Sequence, residues 1–213
     1  MSAAAFLRRF GRDERGAGAA EFALVLPLSI LFLVGLLDTG RLFYDINRGE
    51  KATQIGARWA VVTDPLAPEL ASTSYVGFVT PGGVTVNQGD RIPADALGLV
   101  ECTQDGCKCD PDPCPTGLTD TRAAYADPAA FNNLLARMQE IMPQIEAADL
   151  IVEYRGSGLG YAGDPNSMDI SPLVTVRIDG LDFSPFILLG LDIDLPDFSY
   201  TLTMEDGDGT SSN

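Results

Sequence analysis

From Phe22 to Leu37 the chain reads FALVLPLSILFLVGLL, sixteen positions without a charge. At helical rise this run covers about 24 Å, slightly short of the hydrocarbon core of a bilayer. The small residues Ala17–Ala20 lengthen it, but Glu21 then falls inside the segment. Pro27 is tolerable in a membrane helix, where neighbouring groups satisfy the carbonyl it frees. Beyond the run the pattern turns amphipathic: Leu42, Phe43, Ile46, Ile55, Trp59 and Val62 recur at spacings of three, four or their sums, with no proline before Pro65. The period predicts one long helix from about Ala19 to about Val62, anchor first and stalk second, although Gly49 and Gly56 weaken it. The stalk's apolar stripe needs a partner, most simply the later part of the chain.

That later part mixes strands with one clear helix. Tyr75–Thr80 and Val84–Asn87, joined through Pro81-Gly82-Gly83, read as a hairpin. Residues 101–121 are rich in Asp, Pro, Gly and Cys and read as a loop. Asp127-Pro128 is a helix start, with Asp as N-cap and Pro at the first helical position. Phe131, Leu134, Leu135, Met138, Ile141, Met142 and Ile145 then form a helical stripe, interrupted by Pro143. Strand candidates follow at Leu150–Tyr154, Leu173–Ile178, Phe186–Leu189 and Phe198–Met204. The expected fold class is α+β: a long membrane-anchored N-terminal helix, then a helix packed on an antiparallel β-sheet with a Cys-rich loop.

Charge changes the picture in two ways. The formal net charge is −16, and from Val61 onward 24 Asp and Glu face only 6 Lys and Arg. Such a domain is repelled by phosphate, so nucleic acid is not an expected partner. The chain also has no histidine, which removes imidazole base catalysis, Ser-His and Cys-His nucleophiles and the commonest zinc ligand. No catalytic, cofactor or metal site is therefore expected, and the protein is read as a non-enzyme. Acidic clusters at Asp105, Asp110 and Asp112, at Asp192, Asp194 and Asp197, and at Glu205, Asp206 and Asp208 lack the Gly and distant Glu of an EF-hand, so solvated loop charge is the default reading.

A secretory signal peptide would need a small-x-small cleavage site after the apolar run, and Asp38-Thr39-Gly40-Arg41-Leu42 offers none. The informative residues lie before it: Arg15-Gly16-Ala17-Gly18-Ala19-Ala20-Glu21-Phe22. Here the chain resembles type IV prepilin-like proteins. More closely, the stretch from RGAGAAEFALVLPLSILFLVGLL through TGRLFYDINRGEKATQIGARWAVV is similar to the TadE-like pseudopilins of tight-adherence (Tad/Flp) type IVb pilus systems. The resemblance is carried by about residues 12–62 and not by the strand-rich remainder.

The resemblance implies cleavage by a prepilin peptidase between Gly16 and Ala17, which makes Glu21 the fifth residue of the mature chain. It also implies assembly roles for Glu21 and Phe22, the carboxylate pairing with the new terminal amine of its own or a neighbouring subunit. A charged residue at a membrane edge is costly, which makes Glu21 a functional candidate; taken alone it reads as an interfacial carboxylate among headgroups, and the motif is what favours the assembly role. Implied partners are the peptidase, other pilin-like subunits, the pilus assembly machinery and the membrane.

Cys102, Cys107, Cys109 and Cys114 cluster in an otherwise cysteine-free chain. Neither C-x-x-C pairs nor histidines accompany them, so disulfides outside the cytoplasm are the better reading. Cys107–Cys109 is disfavoured by its single intervening residue, leaving 102–107 with 109–114, or 102–109 with 107–114. Gly158-Leu159-Gly160-Tyr161-Ala162-Gly163 matches a dinucleotide-binding fingerprint literally, but turn residues follow where a helix must open, so a glycine-rich connection suffices.

The expected organisation is a basic cytoplasmic leader over residues 1–16, a membrane helix over 17–38, its amphipathic continuation over 39–62, a periplasmic α+β domain over 63–204 and an acidic tail over 205–213. The cysteine cluster and the short leader orient it, with the N-terminus cytoplasmic and the large domain periplasmic in a bacterial inner membrane. The function this implies is that of a processed pseudopilin or minor pilin-like subunit; the alternative is an unprocessed membrane-anchored periplasmic scaffold or binding protein.

Overall fold

The computed structural model describes residues 17–110, 128–165, 168–187 and 190–204. Its first element, α1, is a 44-residue helix, Ala17–Ala60, that runs through Pro27. The chain divides into two units, Met1–Phe43 with Ser184–Ile193, and Tyr44–Phe183 with Asp194–Asn213.

The second unit is built on a five-stranded antiparallel sheet: β1 Leu99–Thr103, β2 Gly106–Asp110, β3 Leu150–Arg155, β4 Leu173–Ile178 and, after the two-residue strands β5 Asp182–Phe183 and β6 Ile193–Asp194, β7 Phe198–Thr203. The order across the sheet is β2-β1-β3-β4-β7. Side chains alternate across the strands, so Leu150, Val152 and Tyr154 of β3 and Val174, Val176 and Ile178 of β4 are buried on one face. The opposite face carries charge. Glu101 stands directly across from Glu153, a like-charge pair that would repel. Lys108 offsets it at 2.6 Å from Glu101, and Arg155 and Arg177 lie 3.1 and 3.6 Å from Glu153.

The core face is covered by α1 and by α3, Pro128–Gln139, whose Phe131, Leu134 and Met138 are buried. α3 ends where proline chemistry requires, because a proline at 143 would clash with the carbonyl of Gln139 if the helix continued. Met142 and Ile145 of the expected stripe stay buried in the turns that follow. There the Gln139 side-chain amide donates to the Ile145 carbonyl at 2.8 Å. The N-cap assigned to Asp127 lies outside the described residues.

α1 meets this core through a stripe different from the one its large apolar residues suggest. Gly49, Ala52, Thr53, Gly56, Ala57 and Ala60, spaced by three and one in turn, are all buried, whereas Ile46, Ile55 and Trp59 are only half-buried. A Cβ added to Gly49 would stand 2.5 Å from the Phe198 ring, and one on Gly56 would stand 2.7 Å from the Met138 sulfur. The two glycines that weaken the helix by propensity are therefore what lets it approach the sheet and α3. Arg48 holds the same helix to the turn after α3, its Nε donating to the Ile141 carbonyl at 2.7 Å.

Three expectations are corrected. Residues 101–121 are not wholly loop: to Asp110 they belong to β1 and β2, which turn at Gln104-Asp105 with Gly106 at φ 126°. The strands expected at Tyr75–Thr80 and Val84–Asn87 reduce to one bridge, Val79 with Thr85, around a turn in which the Thr80 N–H donates to the Val84 carbonyl. Phe186 and Ile187 are not a strand either, for a reason that lies in the first unit. Two short helical turns, α2 Glu69–Ser72 and a 3-10 turn at Ala94–Ala96, complete the second unit.

Candidate functional site: the apolar helix and its loop

In the first unit α1 is sheathed by large apolar side chains that are exposed among the described residues. Eleven between Phe22 and Leu37 are exposed, Leu24 by 75% and Phe22 by 64%. Each forgoes roughly 1.5–3 kcal/mol if left in water, on the order of 20 kcal/mol together. That sum exceeds the roughly 5–15 kcal/mol net stability of an ordinary domain. Water is thus the wrong solvent for this stretch. The helix is long and apolar enough to cross a membrane, its best window having mean hydropathy 2.4, and Gly18–Leu37 spans about 30 Å.

Of the residues singled out in the sequence, Ala17 is the first residue of α1. Glu21 and Phe22 follow one turn later, both exposed. The i, i+4 spacing of Ala17 and Glu21 puts them on one face of the helix, neighbours along the axis. Gly16 lies outside the described residues.

Sequence reasoning missed Asp38. It ends the apolar run and is only 6% exposed. Its two carboxylate oxygens accept the Phe186 N–H at 3.0 Å and the Ile187 N–H at 2.9 Å. Arg41, one turn on, stands 3.3 Å from the same carboxylate, and its guanidinium lies 4.2 Å above the centre of the Phe186 ring. The carboxylate holds Phe186 and Ile187 in a turn, which is why the strand expected at Phe186–Leu189 is not seen at these two residues; Leu188 and Leu189 lie outside the described residues. The Ser184 hydroxyl donates to Asp192 across the neck of the loop Ser184–Ile193. The signal available in the sequence was an acid closing an apolar run, paired at i+3 with arginine, and a second uncharged apolar run, PFILLGL, far along the chain.

The cysteines lie in the second unit. Cys102 and Cys107 face each other at paired positions of β1 and β2 and form a disulfide. That excludes the alternative of 102–109 with 107–114. Cys109 is also disulfide-bonded; Cys114, its expected partner, lies outside the described residues. The glycine-rich segment is a connection: Gly160 has φ 104°, and a Cβ there would meet the Asp169 carbonyl at 2.3 Å. The nearly buried Asp169 carboxylate accepts the N–H groups of Tyr75 at 2.8 Å and Asp164 at 3.1 Å, tying that connection down. Among the described residues no group of three acids or thiols stands close enough to hold a metal ion.

The family model of TadE-like proteins matches residues 16–58, a span that begins one residue before α1 and ends two residues before its last. The resemblance read from the sequence is thereby shown over the helix, and it associates the chain with the pilin-like proteins of Tad pilus systems. Comparison with curated proteins and with solved structures finds no match.

Proposed function

We propose, with a TadE-like helix as the premise, that this chain is a pseudopilin or minor pilin-like structural subunit processed by a prepilin peptidase and needed for assembly of a Tad/Flp pilus. The observation that carries the reading is that the family match, residues 16–58, falls on the helix α1, whose large apolar side chains are exposed from Phe22 to Leu37.

The leader 1–16 stays in the cytoplasm, held by its four arginines. Residues 17–38 cross the inner membrane, and 39–62 continue the helix into a periplasmic domain, 63–204, with the tail 205–213 beyond. The disulfides fit an oxidising compartment. Hydrolysis of the Gly16–Ala17 bond frees the α-amine of Ala17 at a helix N-terminus, where the peptide dipoles are already positive. A cation there is doubly unfavourable near lipid, and Glu21, one turn along the same face, supplies the compensating charge. The neutralised end can then leave lipid and pack against the helices of neighbouring subunits, with Phe22 and the residues after it exchanging acyl chains for side chains.

The test is the mature N-terminus of the full chain co-produced with a prepilin peptidase, read by mass spectrometry. A chain beginning at Ala17 is expected, with Gly16→Leu left uncut. Glu21→Gln is expected to be cut and yet lost from sheared pili. A chain that starts at Met1, or at any residue after Leu37, would sink the reading.

A further inference from the structure

We propose that the loop Ser184–Ile193 is a second membrane-contacting element, which lies in the same leaflet as the end of the α1 span and is covered by lipid acyl chains. The inference rests on the reading that α1 spans a bilayer, and it adds a site to it.

The depth of the loop follows from what it touches. The Ile187 side chain reaches α1 so closely that its Cδ1 is 3.1 Å from where a Cβ on Gly35 would be. With Leu26, Pro27, Ile30, Leu31 and Val34 it lines an open, apolar cleft of about 440 Å³. These residues lie four to twelve positions before Asp38, which at helical rise is about 6–18 Å into the span. Whatever solvent surrounds that stretch of helix also surrounds Ile187.

The loop's chemistry suits that solvent. Pro185 to Leu191 carries no charge, and the Phe186 and Leu191 side chains are 62% and 65% exposed. Irregular backbone is tolerated at membrane depth only when its polar groups find partners within the protein. Asp38 supplies them for Phe186 and Ile187. Arg41 balances the carboxylate and lies on the Phe186 ring, a placement in which a long cation reaches toward headgroups while its stem stays against apolar surface.

Lipid fits this face better than a second copy of the chain. Helices that pack in membranes approach through small residues, and Gly35, the small residue beside Ile187, is already covered by it. The rest of the cleft presents Leu, Ile, Val and Pro, a soft apolar surface of the kind acyl chains cover.

The experiment places a single tryptophan in the full chain, with Trp59→Phe in every variant. Phe186→Trp and Leu191→Trp report on the loop, and Leu31→Trp on the span. Each protein is reconstituted at high dilution into phosphatidylcholine vesicles brominated along one acyl chain. The expected result is blue-shifted emission and loss of most of the intensity for both loop reporters, as for the span reporter. Quenching at position 31, with water-like and unquenched emission at 186 and 191, overturns the loop and leaves the span intact. Failure at all three positions overturns both. Blue-shifted loop emission without quenching by the brominated chains assigns the face to a second copy, and likewise overturns it.

Discussion

Two stretches of one helix, Phe22–Leu37 and Gly49–Ala60, solve opposite problems. The first carries eleven large side chains outward, exposed among the described residues; the second turns a stripe of small residues inward and buries it completely. What differs is the partner. A rigid sheet with Phe198 and Val176 on its face leaves no room for a side chain between backbones, so the helix must give up volume to come close. A fluid partner conforms to any shape, so volume is an advantage. Residue size along α1 thus reports the state of matter on the other side.

The sharpest way to break that comparison is to exchange the volumes. Gly49→Leu drives a side chain into the Phe198 ring, which a Cβ alone would meet at 2.5 Å. Overpacking of this kind should cost about 3 kcal/mol. Leu31→Ala in the outer stretch also changes volume by most of a side chain, yet should change the unfolding of the α+β unit by no more than about 0.5 kcal/mol. Urea midpoints of the full chain in detergent, followed through Trp59 fluorescence, compare the two. Equal midpoints would mean that the small stripe is not where α1 gains its place.

A smaller effect is expected where the second unit depends on covalent chemistry. The Cys102–Cys107 bridge spans a sequence separation of only 5 and joins strands already paired by their ladder. Its loop-closure contribution is about 2 kcal/mol. The double replacement Cys102→Ala with Cys107→Ala should lower the unfolding free energy by that amount, and non-reducing peptide mapping of the parent chain should recover the two cysteines linked.

How much of this was legible in the sequence follows from where each signal is stored. β3, β4 and β7 carry their periods in apolar residues and were read within a residue or two, whereas α3 ends at Gln139, before the Ile141, Met142 and Ile145 of its expected stripe. β1 and β2 were missed because cysteine and glycine occupy positions that usually advertise a strand, and Asp105-Gly106 was the one turn signal between them. The face of α1 was misread because its stripe is written in Gly, Ala and Thr, whose burial depends on what stands opposite and not on their own hydrophobicity. Asp38 was invisible for a related reason. Its partners, the N–H groups of Phe186 and Ile187, are 148 and 149 positions away, and backbone donors leave no trace in a residue pattern.

The smallest predicted effect sharpens the comparison on the polar side of the sheet. Asp179 follows β4, its N–H donating to the Asp149 carbonyl at 3.0 Å. Burial pushes its carboxyl above the ordinary aspartate value; Arg177, 3.4 Å away, opposes this, and the Asp197, Glu153 and Glu101 carboxylates add to the rise. A raised value means that the fold prefers the protonated acid. The stability it contributes is complete below the unfolded aspartate value of about 3.9 and is lost as pH rises through the higher folded one. At neutral pH the ionised side chain is therefore a net cost, and Asp179→Asn should remove it. The expected gain is roughly 2 °C in Tm at pH 7, shrinking to nothing as the pH is taken below that of the free carboxyl, because there the parent residue is neutral as well. A gain that persists unchanged at low pH would show that the asparagine acts through packing or hydrogen bonding and not through charge. A loss at pH 7 would show that the Arg177 pairing outweighs the burial, and that this charged face is held together by its ion pairs more firmly than its crowding of acids suggests.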